Sequence, residues 1–398
     1  MFTTYRTLTV VFVAQCFAQT GSPILVLLAG IVGAELAPTL AMATLPVAAM
    51  VVGMALTTVP ASLFMGRFGR KAGFLLGAGY ASIGGLLAAW SVSIGHFYLF
   101  CFAGLLIGSF SAFVQQFRFA VAESVPVEAL PRSLSILMMA GIVSAFLGPG
   151  VATRFHEVPG LEPYVGSFIG MSVLLAIAFF ILLVFYRDEP MAEEGEVSGP
   201  SVRSFGEILK DSNILLAMAA AITGWLLMSL VMTATPVSMH AMDKLSLADT
   251  SFVIQSHIVA MYAPSLVSGY LIGLLGVRRI IGMGMGLMLI VVLIGFGQPH
   301  FLHYWGAMVA LGVGWNFLFV GGTTLLTQSY RTSERFRVQA LNDFLVFGLQ
   351  AFGSLGAGFL LATYGWNAVM LLCLPWLIVL GPFLWVSSKA SGPSSQTI

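Results

Sequence analysis

The residues with the most chemical potential are an acid and a base set deep in apolar stretches. Asp343 follows Arg337 by six residues, about 9 Å along a helix, and Gln339, Asp343 and Gln350 fall at i, i+4 and i+11 on one face, with Asn342 alongside. If this stretch crosses a membrane, an ionisable group in it costs at least ~2.5–3.5 kcal/mol at the helix centre. One role that offsets such a cost is a carboxylate that takes up and releases a proton. The other is a hydrogen-bonding residue near a helix N-terminus, where negative charge is favoured. Arg118 shares a face with Ser111 and Gln115 at i, i+4 and i+7. Its depth predicts that Arg118 and Asp343 approach across a cavity when one side closes, and that protonating Asp343 weakens the pair. The alternative for Arg118 is a side chain that snorkels to the headgroups. His257 is a second candidate proton carrier, since imidazole titrates near neutral pH; a hydrogen-bonded packing role is its alternative. Gln255 and Tyr262 are near it in sequence, and Gln15, Gln19 and Ser22 form a further polar face at i, i+4 and i+7.

The rest of the chain must hold these groups in lipid. Of 398 residues, 58% are hydrophobic and 8% charged, against about 25% charged in soluble proteins, too few polar side chains to cover a water-soluble globule. A net charge of +1 gives no basic face for nucleic acid. Cys16, Cys101 and Cys373 all lie in apolar runs, which fits neither a disulfide framework nor a zinc site. A membrane helix needs about 20 apolar residues, and such stretches run at Leu8–Val32, Thr39–Phe64, Ala72–Ile94, Phe97–Phe119, Leu134–Thr153 and Tyr164–Tyr186. Six more follow at Asn213–Met239, Ser251–Leu275, Ile280–Gly297, Phe301–Leu326, Val338–Tyr364 and Asn367–Val386. The first is too long for a signal-peptide core and lacks a clean cleavage site, so it is read as a retained helix. With both termini in the cytoplasm, all 17 Lys and Arg except Arg154 and Lys244 fall at or near the inner face, as the positive-inside rule requires.

The polar break between spans six and seven, with Glu193, Glu194, Glu196 and Ser-Gly-Pro at 198–200, has linker composition. It divides the chain into a bundle at 1–187, a cytoplasmic linker at 188–212 and a second bundle at 213–398. The halves echo one another: Thr20-Gly-Ser-Pro23 with Thr233-Ala-Thr-Pro236, Gly66–Lys71 with Gly273–Arg279, and Ile107–Phe110 with Val313–Asn316. This order suggests a duplicated six-helix unit with its substrate between the halves.

The sequence resembles the major facilitator superfamily. The resemblance covers the whole chain, and its most specific sign is the loop after span two, Gly66, Arg67, Gly69, Arg70 and Lys71, where Arg67, Gly69, Arg70 and Lys71 fit the family pattern. Ser62 stands where the pattern has a leading Gly, and Gly66 where it has an acid. Ala122, Glu123, Pro126, Arg132 and Ser133 are similar to the family loop after span four. The resemblance implies an all-α membrane fold of twelve helices in two pseudo-symmetric six-helix bundles, with spans one, four, seven and ten lining a central cavity. On that basis Gln15, Gln19, Gln115, Gln116, Trp225, Gln255, Trp315 and Asn316 are the substrate-cavity candidates. Trp225 and Trp315 would stack on a ring or a cation, or pack in the core.

Gly148-Pro149-Gly150 in span five partly resembles a family antiporter motif; small residues that let helices pack closely are the other reading. Histidines 96, 156, 240, 300 and 303 map to the outer side without close metal-ligand spacing. No phosphate-binding Gly-x-x-x-x-Gly-Lys-Ser/Thr loop is present, which removes a nucleotide-driven pump. The expectation is a monomeric secondary transporter in a bacterial inner membrane, without cofactor or metal. It would export a small organic solute in exchange for protons. Proton-coupled uptake of a polar metabolite is the alternative. A membrane enzyme would need a clustered nucleophile and base; His156 and Glu157 are adjacent but have no such companion. A non-transporting relative is a further alternative.

Overall fold

The computed structural model describes residues 5–125, 133, 136–188, 203, 205–297, 300–331 and 334–390, without the side chains of 122, 123, 205, 335–337, 340 and 388–390. Pro126, Arg132, the side chain of Glu123 and most of the linker therefore lie outside the described residues. Eleven helices are long and apolar enough to cross a membrane, and a bent pair makes a twelfth. In chain order they are α1 (Arg6–Leu36), α2 (Leu40–Phe68), α3 (Arg70–Ser93), α4 (Phe97–Val121), α5 (Ile136–Arg154) and α6 (Val165–Phe185). The second set comprises α7 (Ser212–Met242), α8 (Leu247–Tyr262 with Ser265–Leu275), α9 (Val277–Gly295), α10 (Phe301–Ser329), α11 (Leu341–Tyr364) and α12 (Trp366–Ser387). With twelve spans, the start of α1 and the end of α12 fall on the same side of the helix array, called here the terminal face. Every expected stretch corresponds to one helix. The expected Val338–Tyr364 limit is also matched physically, since Gly365 at φ +76° breaks the helical run there.

Turn chemistry places the ends. Asp211 caps α7 by accepting from the backbone N–H groups of Asn213 and Ile214 at 3.0 and 3.4 Å. Ser246 caps α8, accepting from Asp249 N at 3.0 Å and donating to its carboxylate at 2.6 Å. Gly69 and Gly276 occupy equivalent α2–α3 and α8–α9 corners at φ +87° and +85°, a backbone region that favours glycine. Each corner is tied to the end of the sixth helix of its half. After α6, Asp188 accepts from the Lys71 backbone N–H at 2.8 Å, satisfying one of the orphan donors at the start of α3. In the other half Arg278 donates to Ser387 Oγ and Asn213 Oδ1, both at 2.9 Å.

The two bundles meet through α1–α7, α2–α11 and α5–α8. A methyl group on Gly30 of α1 would overlap Val237 of α7, and one on Gly358 of α11 would overlap Thr44 at the start of α2. These approaches lie away from the terminal face. At mid-depth a methyl on Gly141 of α5 would press into the Tyr262 ring of α8.

One contact fastens the linker to the second bundle. Arg203 makes a two-pronged bond to Glu334, Nε to Oε1 at 2.8 Å and Nη2 to Oε2 at 2.7 Å, while Glu334 also accepts from the Arg203 backbone at 3.0 Å. Arg203 reaches Asp211 at 3.3 Å as well, and the Glu334 side chain is fully buried. The Arg203 bonds hold the Glu334 carboxyl down at about 2, against an ordinary 4.5, and Glu334 in turn raises Arg203. A depressed carboxyl stabilises the fold above its unfolded pKa, and that contribution fades as pH falls toward the folded value. Hydrogen bonds to charged groups contribute about 1.5–3 kcal/mol each. Glu334→Gln is therefore expected to lower the melting temperature of the purified protein by several degrees at pH 7. The gap from the parent should narrow between pH 5 and pH 3, measured by thermal unfolding in detergent.

Candidate functional site

Three helices are interrupted where they border the space between the bundles. Pro23 has no N–H to donate back to Gln19, and α1 breaks at Gln19–Thr20, where Thr20 Oγ1 donates to the Phe17 carbonyl at 2.6 Å. In α4 the break falls at Gln115–Gln116. In α8 it precedes Pro264 and bends the span by 43°. Irregular backbone at membrane depth is tolerated only where protein or a cavity covers it. A cavity of about 180 Å³ is bordered by Gln19, Gln115 and Tyr262 at these three breaks.

Its wall is soft and uncharged. Met50 and Met54 of α2, Met228 and Met232 of α7 and Met261 of α8 supply thioethers, while Trp225 and Tyr262 supply ring surface. Gln350 of α11 joins Gln19 and Gln115 as the third carboxamide, and hydroxyls come from Ser22, Ser111, Ser144, Ser229 and Thr233. Among the described residues, no Lys, Arg, Asp, Glu or His lines it. Among the described residues, the buried amide oxygens of Gln19 and Gln350 have no hydrogen-bond partner. Methionine sulfur packs well against aromatic ring edges, and a carboxamide offers a donor and an acceptor side by side. Such a wall suits a flat, uncharged solute with polar edges.

The structure brings Gln19, Gln115 and Trp225 of the sequence candidates to the cavity and places the rest elsewhere. Asn316 is fully buried behind it. Its Nδ2 donates to the Met261 carbonyl at 2.7 Å and to Ser265 Oγ at 2.6 Å, and its Oδ1 accepts from Ser268 Oγ at 2.7 Å. Asn316 thus bridges the break in α8. Trp315 is 2% exposed and stacks on Phe319 at 5.0 Å, with the Trp225 ring edge-on at 5.0 Å; it buttresses a lining residue. Gln15 is buried one turn from Gln19, and Gln116 is the second residue of the α4 break, neither in the lining. Gln255 bonds Ser251 at 3.4 Å within its own helix. His257 is fully buried, with Nδ1 2.8 Å from the Met308 carbonyl of α10.

Arg118 of α4 and Asp343 of α11 come from opposite bundles, and no ion pair within 4.0 Å joins them. Arg118 is exposed with its guanidinium 4.8 Å from the Phe119 ring centroid, and Asp343 accepts from Asn342 Nδ2 at 3.1 Å. The five methionines and Gln350 were not among the sequence candidates for the cavity. Gln350 had a signal, the shared face with Asp343, whereas a methionine in an apolar run has none. Gly148 packs on the broken turn of α1, where a methyl would lie 3.1 Å from the Thr20 carbonyl, so helix packing accounts for it.

Two bundles around a central cavity reached by broken helices form the architecture of a membrane carrier. The chain belongs to the Major Facilitator Superfamily, whose defining pattern matches residues 11–260 and 240–397. It is a secondary transporter and not an enzyme. It is 34% identical to the riboflavin transporter RfnT of Brucella anthropi over 98% of both chains. It is also 29% identical to the uncharacterized MFS-type transporter YdeG of Bacillus subtilis, over 92% of this chain and 88% of that one. A crystal structure of a bacterial homologue of the human lysosomal transporter Spinster, inward-facing and occupied, superimposes with a TM-score of 0.73. It does so at 13% identity over 98% of this chain and 97% of that one, a likeness of fold.

Asn316→Ala removes the partner of the Met261 carbonyl and of the Ser265 hydroxyl, each worth about 1–3 kcal/mol, while Ser268 keeps its bond to the Pro264 carbonyl. The variant is expected to melt several degrees lower and to slow transport more than it weakens solute binding. Melting curves, equilibrium binding and vesicle flux on the same preparation check this.

Proposed function

We propose that the chain carries riboflavin, or a closely similar uncharged planar heteroaromatic solute, by proton-coupled alternating access across a bacterial plasma membrane. The observation that carries this reading is the cavity wall: thioethers, Trp225, Tyr262 and three carboxamides, with no ionic side chain among the described residues. The relative at 34% identity is named a riboflavin transporter, which agrees with it. A phosphorylated flavin would bring a dianion, and a wall lacking Arg and Lys gives it no counter-charge.

The terminal face is read as cytoplasmic on the positive-inside distribution. The bundles at 1–187 and 213–398 rock about the cavity as a monomer, with 188–212 as the connection. In this scheme the present arrangement is open to the cytoplasm, with Arg118 exposed and apart from Asp343. Closing the cytoplasmic side pairs them, and a proton on Asp343 releases them. His257 holds the α10 backbone in this scheme and is not the proton site. The expectation of export rested on Gly148-Pro149-Gly150, for which close packing on α1 supplies another reason. Inward movement of the vitamin with a proton is the direction proposed, and exchange is the alternative that the test separates.

The test uses purified protein in lipid vesicles with an imposed pH gradient. Riboflavin should accumulate on the side toward which protons flow, with its 5′-phosphate transported at least tenfold more slowly. Asp343→Asn should abolish gradient-driven accumulation yet keep riboflavin exchange at equilibrium. Accumulation against the proton flow would establish antiport. No flavin flux with active, correctly inserted protein would refute the reading.

A further inference from the structure

Among the described residues, two carboxamides whose buried amide oxygens are unmet border the central cavity from opposite bundles, Gln19 at the break in α1 and Gln350 in α11. Gln350 is 5% exposed. The wall it belongs to combines thioethers and hydrocarbon with serine and threonine hydroxyls, yet among the described residues no side chain or backbone group bonds its amide oxygen. A polar group buried without a partner is costly; one facing a cavity is matched by whatever occupies that cavity. A carboxamide presents N–H beside C=O, and the group that meets both at once presents C=O beside N–H. Imides and lactams have that edge. Carboxylates, ethers and simple alcohols do not.

We propose that Gln350 recognises the imide edge of the solute by a two-point bond, its Oε1 accepting the ring N–H and its Nε2 donating to the adjacent carbonyl. Gln19, on the facing bundle, keeps its own unmet amide oxygen for a second donor of the solute, such as a hydroxyl of the solute's side chain. On this proposal, which rests on the flavin reading, the imide N–H of the pyrimidinedione ring is the atom the carrier selects for. A solute that meets both oxygens bridges α1 and α11 and so ties the two bundles together. Trp225 and Tyr262 take the flat faces of the ring system, and their place in the wall sets the plane in which the imide edge meets Gln350.

The experiment titrates purified protein in detergent with riboflavin and with its N3-methyl derivative, following the intrinsic flavin fluorescence. The methyl group removes the donor and leaves ring, side chain and charge unchanged. A site built around a hydrogen bond discriminates against an analogue that lacks it, so the methyl derivative should bind on the order of tenfold more weakly, or worse. Gln350→Met places another thioether in a wall already made of them. It should weaken riboflavin by a similar factor while leaving the methyl derivative nearly unaffected, so that the two ligands bind alike. Equal binding of both ligands by the parent protein overturns the proposal while leaving the flavin reading intact. Undiminished discrimination in the Gln350→Met variant overturns it in the same way. Failure of the parent to bind any flavin overturns the flavin reading and this proposal together. Should Gln350→Met not fold, the comparison of the two ligands on the parent protein still decides.

Discussion

The structure depends on one constraint: in lipid, every backbone polar group must be satisfied by the protein or by what fills its cavity. Straight helices meet this automatically, and most of the chain is straight helix. The exceptions are concentrated. α1, α4 and α8 break at Gln19, Gln115 and Pro264, and these positions surround a single space. Where a break faces protein, a dedicated side chain closes the account, as Asn316 does for the Met261 carbonyl. Where the break in α1 faces the cavity, the Gln19 amide oxygen stands unmatched. Structural and recognition roles are thus divided by which side of a break a polar residue occupies.

Hydropathy makes the spans readable without structure because insertion in lipid acts on composition over some twenty residues, with no need of tertiary detail. It does not say which way a helix is turned. Asn316 sits on a helix expected to line the cavity, yet Pro264 on a neighbouring helix decides its direction by exposing a carbonyl that needs a donor. Trp315 follows the same rule, turned to support Trp225 from behind. The methionines of the wall were unreadable for a different reason: a thioether in an apolar run looks the same whether it faces lipid, protein or solute. The bond from Arg203 to Glu334 spans 131 positions, and no local pattern announces it. Gln19 and Gln115 were legible because a neutral amide in a membrane helix has few places to go.

The two halves keep a common plan while using different chemistry for it. Each ties the corner after its second helix to the end of its sixth. One half uses the Asp188 carboxylate on the α3 backbone; the other uses the Arg278 guanidinium on Ser387 and Asn213. The acid missing from the loop motif, where Gly66 stands, has in this chain a carboxylate from elsewhere in the same loop region: Asp188 sits so near Gly69 that a methyl there would press on its oxygen. What the fold retains is a charged tether at each corner, and the residue that supplies it is free to move along the sequence.

The wall of the cavity has a cost that its shape does not reveal. Five thioethers border a space that solutes and water can enter, and each is a site for conversion to the sulfoxide, which turns a pliable apolar surface into a polar, chiral one. Oxidative stress would therefore act on this carrier through the lining of its own passage, stiffening and wetting the surface that holds a flat ring, and recovery would depend on enzymatic reduction of sulfoxides reached only while the passage stands open.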